Sequence, residues 1–150
     1  MTAPFFYSIL VNMLVTLNHI GIATEAGNQQ LEKLFKLFGI SKGISENVPE
    51  QGVSVHFFTP QGEAPHLELL EVKDPEGSVA KFIQKRGAGI HHLSFSVEKG
   101  KLDPLVEQLK REGFRFTYAE AKMGAQNMRI NFIHPATAGG VLVELMESQG

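Results

Sequence analysis

The chain repeats itself, and that repeat constrains its fold more than any other feature. Leu17-Asn18-His19-Ile20-Gly21-Ile22-Ala23 lies over Ile90-His91-His92-Leu93-Ser94-Phe95-Ser96. Likewise Leu67-Glu68-Leu69-Leu70-Glu71 lies over Val143-Glu144-Leu145-Met146-Glu147. The histidines are 73 residues apart and the glutamates 76 apart, so the offsets differ by three residues, which a loop insertion absorbs. Matches at corresponding elements of the two halves predict two copies of one supersecondary unit that share a core. A chain of 150 residues has room for one such domain, and that length buries roughly 70% of the surface its unfolded chain exposes. It therefore needs no disulfide, and it contains no cysteine. The absence of cysteine also excludes thiol nucleophiles, zinc–thiolate sites and iron–sulfur clusters.

The periodicity of apolar residues gives each half the same element order. Leu14 to Ala23 reads as a strand, with Thr24 positioned to cap the helix that follows. Leu31, Leu34, Phe35 and Phe38 then recur at helical spacing up to Gly39. Gly43 to Pro49 reads as turn. Val53 to Phe58 and Leu67 to Val72 read as strands separated by Pro60, Gly62 and Pro65. A short helix carries Val79, Phe82 and Ile83 and ends at Gly87. The second half opens with a strand at Ile90 to Val97, then a helix with Leu102, Leu105, Val106 and Leu109 on one face, ending at Gly113. Phe114 to Tyr118, Arg129 to Ile133 and Val141 to Met146 read as its strands. The expected fold is α+β: two βαβββ modules, about 15–75 and 88–150, forming a cupped, barrel-like mixed sheet in a single domain over 15–150. Residues 1–14 read as an N-terminal extension, with Met13 an alternative start. They are too short to span a bilayer and lack the basic start of a secretory signal.

Strand parity brings out a candidate metal site. His19 shares a face with Leu17 and Gly21, whereas Glu68 points away from its neighbours Leu67 and Leu69, as Glu144 does from Val143 and Leu145. A carboxylate between apolar neighbours needs water or a partner. If the modules bring these strands together, two imidazoles and two carboxylates converge, a set suited to Co²⁺, Mn²⁺, Ni²⁺ or Zn²⁺. His66 is a rival by parity with Glu68. His91 points to the face opposite His92, and Glu71 and Glu147 fall opposite the ligand face, where solvated edge charges are expected. His56 and His134 have no expected chemical role.

Several runs resemble the methylmalonyl-CoA epimerases of the vicinal-oxygen-chelate (glyoxalase) superfamily. They are Val48-Pro49-Glu50-Gln51-Gly52-Val53, Leu67-Glu68-Leu69-Leu70-Glu71, Ile90-His91-His92-Leu93 and Gly139-Gly140-Val141-Leu142-Val143-Glu144-Leu145. Ala80-Lys81-Phe82 with Lys85, and Phe132-Ile133-His134-Pro135, fit the same pattern, so the resemblance runs from about Leu17 to Glu147. The resemblance implies metal ligands His19, Glu68, His92 and Glu144, one divalent ion with Co²⁺ the first choice, and Glu50 as catalytic base. It implies abstraction of the proton between a thioester carbonyl and a carboxylate, with its return on the other face. For that second face the sequence offers Glu144, doubling as ligand, or a bound water. Two departures stand out. Gly124-Ala125-Gln126-Asn127 replaces a Gly-Ala-His-Gly turn, and Ala136 follows Pro135 where the family tends to have Lys.

Fourteen basic and sixteen acidic side chains leave a formal charge of −2, without the basic footprint of a nucleic-acid binder. Lys81, Lys85, Arg86, Lys122 and Arg129 are candidates for CoA phosphates. The expected partner is methylmalonyl-CoA, with neither nucleic acid nor membrane, and a homodimer is expected because this fold often pairs its exposed sheet edges. The expected compartment is the cytoplasm, or the mitochondrial matrix in a eukaryote. A lactoylglutathione lyase and a non-catalytic ligand-sequestering protein of the same fold are the rival readings. A non-haem iron dioxygenase would leave Glu68 unexplained.

Overall fold

The computed structural model describes residues 14–148, so the extension expected over 1–14 lies, but for Leu14, outside the described residues. The elements are β1 (Val15–Thr24), α1 (Gln30–Leu37), β2 (Ser41–Val48), β3 (Val53–Thr59), β4 (His66–Val72), α2 (Ser78–Arg86), β5 (Gly89–Val97), α3 (Leu102–Arg111), β6 (Lys122–Met123), β7 (Arg129–Ile133) and β8 (Val143–Glu147). This is the expected α+β class, with the order βαβββ occurring twice and α2 joining the two copies.

Three local expectations are corrected. Gly43 to Pro49 is largely strand: β2 pairs antiparallel with β3 from Ser41↔Thr59 to Val48↔Val53, with a register shift between Lys42 and Ser45. Its Gly and Asn residues are poor strand formers, yet β2 is an edge strand and the irregularity absorbs Gly43. Phe114 to Tyr118 forms no strand; only Phe116 bridges to Ile133, and the short β6 pairs with β7 instead. Thr24 caps nothing and is the last residue of β1, while Asn28 Oδ1 accepts the Gln30 N–H at the start of α1, 3.1 Å away.

The chain divides into two compact units, Asn18–Ser94 and the remainder, with the division falling inside β1 and β5. In the first unit the strand order is β2-β3-β4-β1-β5, and β4 runs antiparallel to β3 and parallel to β1. The apolar stripe of α1 covers one face of this sheet. Phe35, Phe58 and Leu69 are buried there with Ile22, Leu31 and Leu67 around them, and the Phe35 and Phe58 rings meet edge to face at 5.3 Å. In the second unit the end of β5 is followed by β8, β7 and β6. There α3 places Leu102, Leu105 and Val106 on Val97, Ile133 and Leu145. By alternation, Glu68 in one unit and Glu144 in the other leave their strands on the face away from the helix.

The repeat extends to a pair of carboxylate clamps. Glu71 and Glu147 are not solvated edge charges. Glu71 Oε2 accepts the Gly27 N–H at 2.9 Å, and Glu147 Oε1 accepts the Gly100 N–H at 2.7 Å. Both glycines adopt positive φ, +74° and +80°, which a side chain would resist. The carboxylate closing each module thus ties down the turn that leaves its first strand. Glu71 also meets His56 Nε2 at 3.0 Å and Lys73 at 3.2 Å, and Glu147 meets Arg129 Nη1 at 2.7 Å.

The Gly27 N–H, His56 and Lys73 together hold the Glu71 carboxyl at about 2, below its ordinary 4.5. A folded-state value lower than the unfolded one means that the unfolded chain binds the proton more tightly. The stability from this clamp is therefore complete above pH 4.5 and lost as pH falls towards 2. Glu71→Gln should flatten that part of the acid-unfolding curve, as read from urea midpoints across this range. An unchanged slope would assign the acid sensitivity to another group.

Candidate active site

His19 on β1, Glu68 on β4 and His92 on β5 come together within the first unit, each no more than 5% exposed. Parallel pairing of β1 with β4 sets Gly21 beside Glu68 and His19 beside His66. His19 Nδ1 lies 2.8 Å from Asn18 Oδ1 and 2.5 Å from Glu68 Oε2. Both neighbours are acceptors, so Nδ1 carries the proton. Its Nε2 faces His92 Nε2 at 3.0 Å, and the two rings stand nearly perpendicular with centroids 5.1 Å apart. Burial above all, and then the nearby His19 and His91, hold the His92 imidazole well below its ordinary 6.5. It is therefore neutral at pH 7, the form in which imidazole ligates a metal.

Two contributors were not anticipated from the sequence. The first is His91. It leaves β5 on the opposite side from His92, yet its Nδ1 lies 2.9 Å from His92 Nδ1, and its ring packs on Phe82 of α2 with centroids 4.7 Å apart. Burial lowers the His91 value to about 4. The second is Gly21, because a Cβ there would lie 2.2–2.7 Å from three atoms of the His92 ring. Only a residue without a side chain lets that ring lie against β1. The His91-His92 doublet and the placement of Gly21 two residues after His19 were the available signals.

Glu144 is 5% exposed on β8 in the second unit, where the antiparallel register sets it opposite Phe132. Glu50 occupies the exposed turn after β2, closed by Gln51 N–H to Val48 O and Gly52 N–H to Pro49 O, both 3.1 Å. Of the other histidines, His66 Nδ1 meets Thr59 Oγ1 at 3.0 Å, His56 bridges Ser45 and Glu71, and His134 Nδ1 accepts the Ala136 N–H. Among the candidate phosphate-binding cations, Arg129 is held by Glu147 and Asp103, and Lys122 lies 4.4 Å from the centre of the Tyr118 ring. Lys81, Lys85 and Arg86 are exposed on α2. The Gly124–Asn127 turn holds Gln126 and Asn127 at φ of +56° and +55°, a costly conformation for residues with side chains.

The donor set fits a divalent ion. Each central imidazole has its Nδ1 engaged, His19 by Glu68 and Asn18 and His92 by His91, and each directs its Nε2 at the other. Two nitrogen donors facing one another in a buried, carboxylate-bordered space match borderline ions such as Co²⁺ and Zn²⁺.

Residues 18–132 match the model of the glyoxalase/bleomycin resistance protein/dioxygenase superfamily, and the chain belongs to that superfamily. Within it, the resemblance to methylmalonyl-CoA epimerases holds. The chain is 33% identical to the mitochondrial methylmalonyl-CoA epimerase of Bos taurus over 88% of its own length and 74% of that protein's. It superposes on the methylmalonyl-CoA epimerase of Mycobacterium tuberculosis with a TM-score of 0.81 and 36% identity, covering 90% of this chain and 89% of that one. A methylmalonyl-CoA epimerase in complex with methylmalonyl-CoA and NH4+ gives a TM-score of 0.78 at 31% identity, covering 91% and 96%. No helix among the described residues is long and apolar enough to cross a membrane.

Proposed function

We propose that this protein interconverts the epimers of methylmalonyl-CoA by metal-assisted removal and return of the α-proton. The observation that carries the reading is the buried His19–His92 pair with facing Nε2 atoms, in a chain several of whose relatives are named for this reaction. The bound methylmalonyl-CoA of one such relative supports the choice of substrate. His19 and His92 would hold the ion, Co²⁺ first and Mn²⁺, Ni²⁺ or Zn²⁺ as alternatives, with Glu144 the carboxylate ligand that the resemblance implies; Glu68, expected as a fourth ligand, instead meets His19 Nδ1. Bound there, a divalent cation would stabilise the negative charge that develops on the thioester oxygen as the α-proton leaves.

The chain's own residues divide the remaining work. Glu68 accepts from His19 Nδ1 and so fixes the ring with Nε2 inward, the task a carboxylate performs behind a ligating histidine. Gly21 and His91 hold the His92 ring between β1 and α2. Glu50, in its exposed turn, takes the α-proton as general base. Glu144 or a water serves the opposite face.

The test is isotope exchange. The protein is stripped with a chelator, restored with Co²⁺ or Mn²⁺, and given one epimer of methylmalonyl-CoA in D₂O. Metal-dependent deuterium incorporation at the α-carbon, with appearance of the other epimer, is the expected result. No exchange in the metal-restored protein would overturn the proposal, and turnover of a glutathione hemithioacetal would then favour the lyase.

A further inference from the structure

We propose that His91 is the positioning residue of this site: its Nδ1 receives the proton of His92 Nδ1 and so keeps the lone pair of His92 Nε2 directed inward. The inference rests on the metal-holding role proposed for His92.

Three observations carry it. His91 Nδ1 lies 2.9 Å from His92 Nδ1, a hydrogen-bond distance at which one nitrogen donates and the other accepts. A neutral imidazole has one proton, so His92 offers Nε2 to an ion only when that proton sits on Nδ1. His91 Nδ1 is then the acceptor, and its own proton resides on Nε2.

The acceptor is also held in place. The His91 ring stands edge to face against Phe82 of α2, with centroids 4.7 Å apart and planes at 73°. The His91 and His92 rings are themselves nearly perpendicular, at 87°. On the other side of His92, Gly21 leaves space for the ring and no more, since a Cβ would meet Cε1 at 2.2 Å and Nδ1 at 2.5 Å. The ring is thus seated between Gly21 and His91. Sequence parity set His91 aside because it leaves the strand on the far side. Contact between the two Nδ1 atoms makes it the counterpart, for His92, of what Glu68 is for His19.

Two substitutions separate the hydrogen bond from the packing. His91→Phe keeps an aromatic ring against Phe82 but has no acceptor. His91→Asn places an oxygen near the former Nδ1 and loses the ring. Affinity for Co²⁺ is measured by competition with a chromophoric chelator, and the visible spectrum of the bound Co²⁺ reports its coordination. His91→Phe should bind Co²⁺ about 10–100-fold more weakly than wild type with an altered spectrum, the usual consequence of losing the partner behind a ligating histidine. His91→Asn should recover most of the affinity. Wild-type affinity and an unchanged spectrum in His91→Phe would overturn the proposal.

Long-range ¹⁵N–¹H spectra of the metal-free protein keep this test apart from that of the proposed function. His92 should be predominantly the Nδ1–H tautomer in wild type and shift towards Nε2–H in His91→Phe; a predominantly Nε2–H tautomer in wild type would overturn the proposal. If wild type takes up no Co²⁺, the metal reading fails, and unchanged His92 ring signals in His91→Phe would then show that His91 does not position it. Should His91→Phe fail to fold, the same signals in His91→Asn decide.

Discussion

Replacing Gly21 by alanine is expected to remove most of the protein's affinity for a divalent ion while leaving it folded. The added methyl would lie 2.2–2.7 Å from three ring atoms of His92, well inside contact distance. One group has to give way. The backbone of β1 is held by β4 through the register His19↔His66 to Thr24↔Glu71, so the ring is the easier to displace. Its route is restricted, however, because His19 meets Nε2 at 3.0 Å and His91 meets Nδ1 at 2.9 Å. Overpacking of this kind destabilises a protein by about 1–3 kcal/mol. The larger effect falls on the site, because His92 would lose its Nε2 direction and its Nδ1 partner together. Calorimetric titration with Co²⁺ checks this alongside thermal unfolding of the metal-free protein. Wild-type affinity in Gly21→Ala would mean that the ring does not need this seat.

The second large effect should come from Glu50. Glu50→Gln keeps the size of the side chain and removes its capacity to take a proton. Loss of a general base typically reduces rate by about 10²–10⁴-fold, and deuterium exchange at the α-carbon should fall by that order. The side chain is exposed and its turn is closed by backbone hydrogen bonds, so the fold should be unaffected. Co²⁺ affinity should also stay at the wild-type level, because the proposed ligands are elsewhere. That contrast separates the two predictions: Gly21→Ala loses metal and exchange together, and Glu50→Gln loses exchange alone. Undiminished exchange in Glu50→Gln would move the base to another residue.

What could be read from the sequence was whatever local pattern determines. The apolar spacing of α1 and α3 located both helices to within two residues, because an amphipathic helix writes its buried face into the chain at every turn. Strand parity set Glu68 and Glu144 opposite their apolar neighbours, and those neighbours Leu67, Leu69, Val143 and Leu145 do pack in the clusters with α1 and α3. The repeat pointed to two related modules, although the first of them read one strand short. Local pattern failed at β2, whose Ser45 and Asn47 become strand only because β3 pairs with them. It failed again at Phe114 to Tyr118, a run with strand composition that gains only one bridge.

The sequence by itself determined most of the elements, the two helical faces and the four residue positions from which a metal site could be argued. Tertiary structure alone decided what those residues touch. Glu71 and Glu147 became clamps because each finds a glycine N–H some 45 residues away in the chain, and nothing local encodes that meeting. The places of His91 and Gly21 were decided in the same way. A side chain's face follows from its own backbone, but its partner is chosen by how neighbouring strands and helices pack.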